Sequence, residues 1–163
     1  MAEETPAAEP AELIRAEKTA LDLIARAEQC SWKLKHKLEK KKFSSEVIKT
    51  VLDRLTELGL LNDHRYAQLW LKGRINKGDK GPRLLSELLR ARGINRETAD
   101  SALSLSLTPE IETALLRRCL ETAEKRGAVS SGKNSAETQT ARRYFLRQQG
   151  FSAEAIERYC EEL

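Results

Sequence analysis

Aromatic residues make up only 5% of this 163-residue chain. Those present include Trp32, Trp70, Tyr66, Tyr144 and Phe145, which fall on helical stretches beside apolar neighbours. They read as packing rather than as platforms for stacked bases. Cysteine is scarcer still: Cys30, Cys119 and Cys160 form an odd set with no CxxC spacing, and only two histidines, His36 and His64, accompany them. That argues against a disulfide framework and against a zinc site, and favours reduced, buried thiols. No apolar run approaches the roughly 20 residues that cross a bilayer. The opening MAEETPAAEPAE is acidic and has no apolar centre, so neither a membrane span nor a signal peptide is expected, and a cytoplasmic protein is. β-branched residues are few and never alternate, which removes the strand signal.

What remains is helix-forming. Leu, Ala, Glu, Lys and Arg dominate, and charged residues reach 33%. The formal charge of +4 conceals a division. Residues 15–54 carry eleven bases against six acids, and residues 65–96 carry nine against two. From Glu97 onward acids outnumber bases, eleven to nine. A basic first two-thirds suggests a polyanion or an acidic protein surface as partner.

A pattern recurs three times, in LKHKLEKKKFSSEVIKTVL (34–52), LSELLRARGINRETADSAL (85–103) and RRYFLRQQGFSAEAIERYC (142–160). In register, Leu38, Leu89 and Leu146 coincide, then Phe43, Ile94 and Phe151, then Ser44, Asn95 and Ser152, then Glu46, Glu97 and Glu154. The offsets of 51 and 57 residues suit a supersecondary repeat. In each copy one helix ends before the large apolar residue, with Gly93 and Gly150 suited to a left-handed C′ position. Ser44, Asn95 and Ser152 are expected to cap the next helix, with a glutamate in its first turn.

A further helix precedes each pair: 12–29, then 63–77 capped by Asn62 or Asp63, then 109–126 capped by Thr108 with Pro109 in its first turn. Nine helices in three three-helix repeats follow, an all-α fold with units at 12–60, 61–107 and 108–163 behind a disordered acidic tail, 1–11. Residues 127–140 are small and polar, a flexible loop or a frayed helix start.

The stretch WLKGRINKGDKGPRLLSELL (70–89) invites comparison with a phosphate-binding loop. Gly73 and Gly78 have the right separation, but Asp79 stands where the lysine belongs and no strand precedes. A helix–turn–helix corner fits better, with Pro82 opening the second helix. There Leu84, Leu85, Leu88 and Leu89 face inward and Arg83 and Arg90 outward, while Arg65 and Lys72 share a side of the helix before. A basic surface of Arg65, Lys72, Arg74, Lys77, Lys80, Arg83 and Arg90 is therefore expected to meet a partner or DNA. Lys33, Lys37 and Lys40, beside His36 and continued by Lys41 and Lys42, form a second. No catalytic set, cofactor motif or metal-ligand spacing is present, so a non-enzymatic protein is expected.

Two strings, SWKLKHKLEKKKFSSEVIKTVLDRLTELGLL and LLNDHRYAQLWLKGRINKGDKGPRLLSELLRARGI, together with the later GFS, resemble the RecX regulatory proteins over residues 12–163. Asp63, Arg65, Tyr66 and Ala67 match that family's opening of the second unit. Gly81, Pro82, Glu87, Leu88, Gly93 and Ile94 match its turn and helix, and Lys37 and Leu38 a pair in the first. The resemblance implies an elongated, curved array of three-helix repeats that binds the RecA nucleoprotein filament in its groove. There it would inhibit ATPase, strand exchange and coprotease activity by blocking growth or promoting disassembly, in the service of DNA repair, recombination and the SOS response. Single- or double-stranded DNA is a further possible partner, and a monomer is expected. The alternative is a direct DNA binder of helix–turn–helix type.

Overall fold

A computed structural model describes residues 10–129 and 135–161. Among them lie nine helices and no strand: α1 (Pro10–Arg26), α2 (Ser31–Lys40), α3 (Ser45–Glu57), α4 (Asp63–Lys77), α5 (Pro82–Arg90), α6 (Arg96–Ser106), α7 (Pro109–Lys125), α8 (Ala136–Gln148) and α9 (Ala153–Glu161). They divide into two compact units, residues 1–66 with 92–94, and residues 67–91 with 95–163.

In the first unit α1, α2 and α3 pack on one another. Helix α3 buries Val47, Ile48, Val51 and Leu55, spaced as one face of a helix. Ala16 and Ala20 of α1 and Leu34 and Leu38 of α2 complete that core without any exposed surface. The two alanines let α1 approach closely, as small residues at a helix crossing do.

The second unit packs α7 with α8 and α9, and α5 with α6. Leu85 and Leu89 of α5 are fully buried, whereas Leu84 and Leu88 are half-buried, so the inward stripe of α5 is narrower than its leucine content implies. On α7, Leu115, Leu116, Cys119 and Leu120 form the inward face.

Several helix ends follow local chemistry. Asn95 accepts from Thr98 N at 2.7 Å, Thr108 from Ile111 N at 3.4 Å, and Ser152 from Ala155 N at 3.1 Å. Asn62, not Asp63, caps α4, accepting from Arg65 N at 2.9 Å. Ser44 departs from expectation. It occupies the N-cap position of α3 but accepts no cap bond; its amide and hydroxyl both donate to the Glu12 carboxylate, at 2.7 and 3.3 Å. The hydroxyl is oriented to the Glu12 carboxylate and leaves the amides of the first turn of α3 without a bond from it.

The helix ends before Phe43, Ile94 and Phe151 all turn through a left-handed residue: Lys42 (φ 67°), Gly93 (φ 80°) and Gly150 (φ 91°). Helix α1 begins at Pro10, so residues 10 and 11, expected in the tail, are helical; the rest of that tail lies outside the described residues. Likewise residues 136–140 form the first turns of α8, with Ser135 accepting from Thr138 N, while 130–134 lie outside the described residues.

Candidate functional site

The glycine-rich turn in the second unit is spent on packing. Gly81 N donates to Gln149 O at 2.7 Å and Arg83 N to Gly150 O at 3.1 Å, while Pro82 has no amide. Two of the amides at the start of α5 that a phosphate would need thus already hold the carboxyl end of α8. A Cβ on Gly81 would stand 2.7 Å from the Gly150 carbonyl carbon, which explains why glycine sits there.

The first unit has a corresponding junction, offset by 51 and 57 residues. Here Cys30 Sγ donates to Arg92 O at 3.4 Å, and the side chain of Trp32 lies against Gly93. Ser31 N and Oγ both donate to Asp63 Oδ1, at 2.7 and 3.0 Å, so a carboxylate caps α2 from another element.

Lys80 apart, the predicted cations fall into two groups. Some are occupied within their own unit. Arg65 donates through Nε to Glu28 at 2.7 Å and through its terminal nitrogens to Gly59 O and Leu60 O, both at 3.0 Å, clamping the turn between α3 and α4. Arg74 pairs with Asp79 at 3.4 Å and lies 5.7 Å from the Trp70 ring centre. Lys37 is half-buried and donates to Gln29 Oε1 at 2.9 Å. Lys80 falls in neither group: it is half-buried and lines, with Cys119, a cavity of about 210 Å³. Asp79, which disqualified the phosphate loop on sequence, is the acid that holds Arg74.

Others face solvent. In the second unit Lys72, Lys77, Arg83 and Arg90 are exposed. Lys77 lies 3.9 Å from the half-buried Asp79, at the limit of an ion pair, and Arg83 pairs with Glu87 at 3.3 Å, a pair open to water and hence weak. In the first unit Lys33 and Lys40 are exposed, with Lys33 5.8 Å from the Tyr66 ring centre.

Two features escaped the sequence reading. Arg15 and Lys18 of α1 line an open cleft with Lys41 and Lys42; residues on different helices leave no spacing signal. The aromatics also divide otherwise than expected: Tyr66 is buried, but Trp32 is 43% exposed and Tyr144 66%. An i,i+4 partner, His36, lies under the Trp32 ring, and that spacing was a usable sign.

The buried thiols are poor nucleophiles. Burial, with a smaller push from Asp79, raises Cys119 from 9.0 to about 11, and burial raises Cys30 as well. Both stay protonated at neutral pH, which withholds the reactive thiolate. No group of three or more metal-ligating side chains occurs among the described residues. Nor, among them, is any helix long and apolar enough to cross a membrane.

Comparison with known proteins agrees with the repeat. Residues 16–55 match the family model described as the first three-helix domain of RecX, and residues 62–103 the second. A protein named Regulatory protein RecX from Pseudomonas entomophila (strain L48) is 34% identical over 86% of this chain and 86% of its own length. Its namesake from Pseudomonas fluorescens (strain SBW25) is 41% identical over 56% of this chain; that match spans 58% of the relative's length. The crystal structure of RecX from Lactobacillus salivarius superposes with a TM-score of 0.82 at 23% identity, covering 94% of this chain and 97% of that one.

Proposed function

Because this chain belongs to the RecX family, we propose that it regulates the RecA recombinase, binding the RecA–DNA filament and holding back its ATPase and strand exchange by blocking growth or promoting loss of protomers. The observation that carries this reading is the exposed cationic set Lys72, Lys77, Arg83 and Arg90 on the two helices that flank a turn whose Gly78 and Gly81 amides are bonded internally. Such a surface meets an anionic polymer with mobile side chains instead of cradling one nucleotide. Arg65 supports it indirectly by holding the backbone between α3 and α4, and Arg74 by holding Asp79 in the turn. Lys33 and Lys40 offer a second contact.

The test is RecA ATPase on single-stranded DNA, with the protein titrated well below one copy per protomer. Inhibition at such ratios supports action on the filament; inhibition only once the strand is coated means competition for DNA. Alanine at Lys72, Lys77, Arg83 and Arg90 together should raise the half-inhibitory concentration about tenfold or more, and flatten its salt dependence, with helicity intact. A folded quadruple variant that inhibits normally removes this surface from the mechanism.

A further inference from the structure

We propose that the exposed face of α2 binds single-stranded nucleic acid, with Trp32 as the platform for a stacked base and Lys33, Lys35 and Lys40 contacting the neighbouring phosphates. This site needs no protein partner, and so goes beyond the regulatory reading above.

Trp32 is 43% exposed, yet its ring is held. The root of the side chain lies against Gly93, where no Cβ intervenes. The His36 ring lies 3.9 Å away, centre to centre, tilted by 31°. His36 is fixed in turn, its Nδ1 2.9 Å from the Trp32 carbonyl oxygen. An aromatic surface is thus pre-organised before any ligand arrives, which lowers the ordering cost of binding.

The surroundings choose the ligand. Residues 32, 36 and 40 recur every four positions and share one side of the helix, with Lys33 and Lys35 beside them. Between residues 33 and 42 there are six lysines and one acid, Glu39. Leu34 and Leu38 point into the core, so the α2 side chains left beside the ring are the polar and charged ones. A flat ring set among cations matches a polymer that carries both phosphates and unpaired bases. Single strands offer both, whereas a duplex hides its base faces.

The chain has two tryptophans, so Trp70→Phe leaves Trp32 as the only indole reporter. That full-length variant is titrated at low salt with a thymidine oligonucleotide of about 15 nucleotides and with an abasic strand carrying as many phosphates. Saturable quenching of Trp32 emission by the thymidine strand is expected, with at least about tenfold weaker binding of the abasic one. In a labelled-strand anisotropy assay, Trp32→Ala should weaken binding of the thymidine strand by a similar factor, while Trp32→Phe keeps most of it. Far-UV circular dichroism checks the fold, and if Trp32→Ala fails to fold, the comparison of the two strands decides. The proposal is overturned by an unquenched Trp32, by equal affinity for both strands, or by a folded Trp32→Ala protein that binds normally. If that last variant also lost its action on RecA, the ring would belong to a protein contact instead.

Discussion

The amino ends of α2 and α5 meet corresponding stretches of chain by two different chemistries. In the second unit the contact is backbone on backbone, Gly81 and Arg83 amides to Gln149 and Gly150 carbonyls. In the first unit it is made by side chains: the Cys30 thiol reaches the Arg92 carbonyl, Asp63 receives the Ser31 amide, and Trp32 covers Gly93. Residues 30 and 81 occupy the same place in the repeat, and their identity accounts for the difference. A cysteine keeps the chains apart and bridges the gap with sulfur; a glycine lets them touch. The glycine-rich turn that resembles a phosphate loop is therefore the repeat's junction drawn tight.

Replacing Gly150 should break the tight version with the largest effect. Alanine there meets a left-handed backbone, φ 91°, and places its Cβ 2.8 Å from Leu84 N. The backbone penalty and the collision together should cost about 3 kcal/mol or more, read as a fall in the urea midpoint at unchanged slope. If Gly150→Ala cost no more than an ordinary surface substitution, the junction would not bear on stability.

How much of this could be read from sequence depends on how far apart the partners lie along the chain. The C′ glycines at 93 and 150 and the caps Asn95, Thr108 and Ser152 involve partners within about one turn, and composition reveals them. Ser44 failed because Glu12, 32 residues away, claimed its hydroxyl. Arg65 looked like a free cation because Glu28 is 37 residues distant. The Cys30–Arg92 contact spans 62 residues. The exposed cations were legible as charge and periodicity, but which of them were tied down was not, since that is decided by acids and carbonyls brought in by tertiary packing.

A smaller loss tests the side-chain version. Asp63 receives both Ser31 N and Ser31 Oγ, so alanine removes two acceptor contacts and leaves the first turn of α2 uncapped. A loss of about 1–2 kcal/mol is expected by thermal or urea unfolding. Asn keeps an Oδ1 acceptor and should lose less than alanine. Equal losses for the two variants would mean that the carboxylate's charge, and not its acceptor geometry, holds the helix start.

The smallest effect should have the opposite sign. Lys42 occupies the position that Gly93 and Gly150 hold in the other repeats, yet it carries a side chain at φ 67°. Gly93 and Gly150 are glycines for two reasons, the left-handed backbone and a neighbour pressed where the Cβ would be. For Lys42, itself exposed, only the first reason is evident, so a side chain is tolerated there at the cost of some backbone strain. In return, a cation sits at the carboxyl end of α2, where the helix dipole favours it. Lys42→Gly relieves the strain but gives up that charge and loosens the unfolded chain, so a net gain of about 0.5 kcal/mol is expected in urea unfolding. A clear loss would show that the lysine side chain, not the backbone, governs this helix end, and would separate the first repeat from the other two in kind rather than degree.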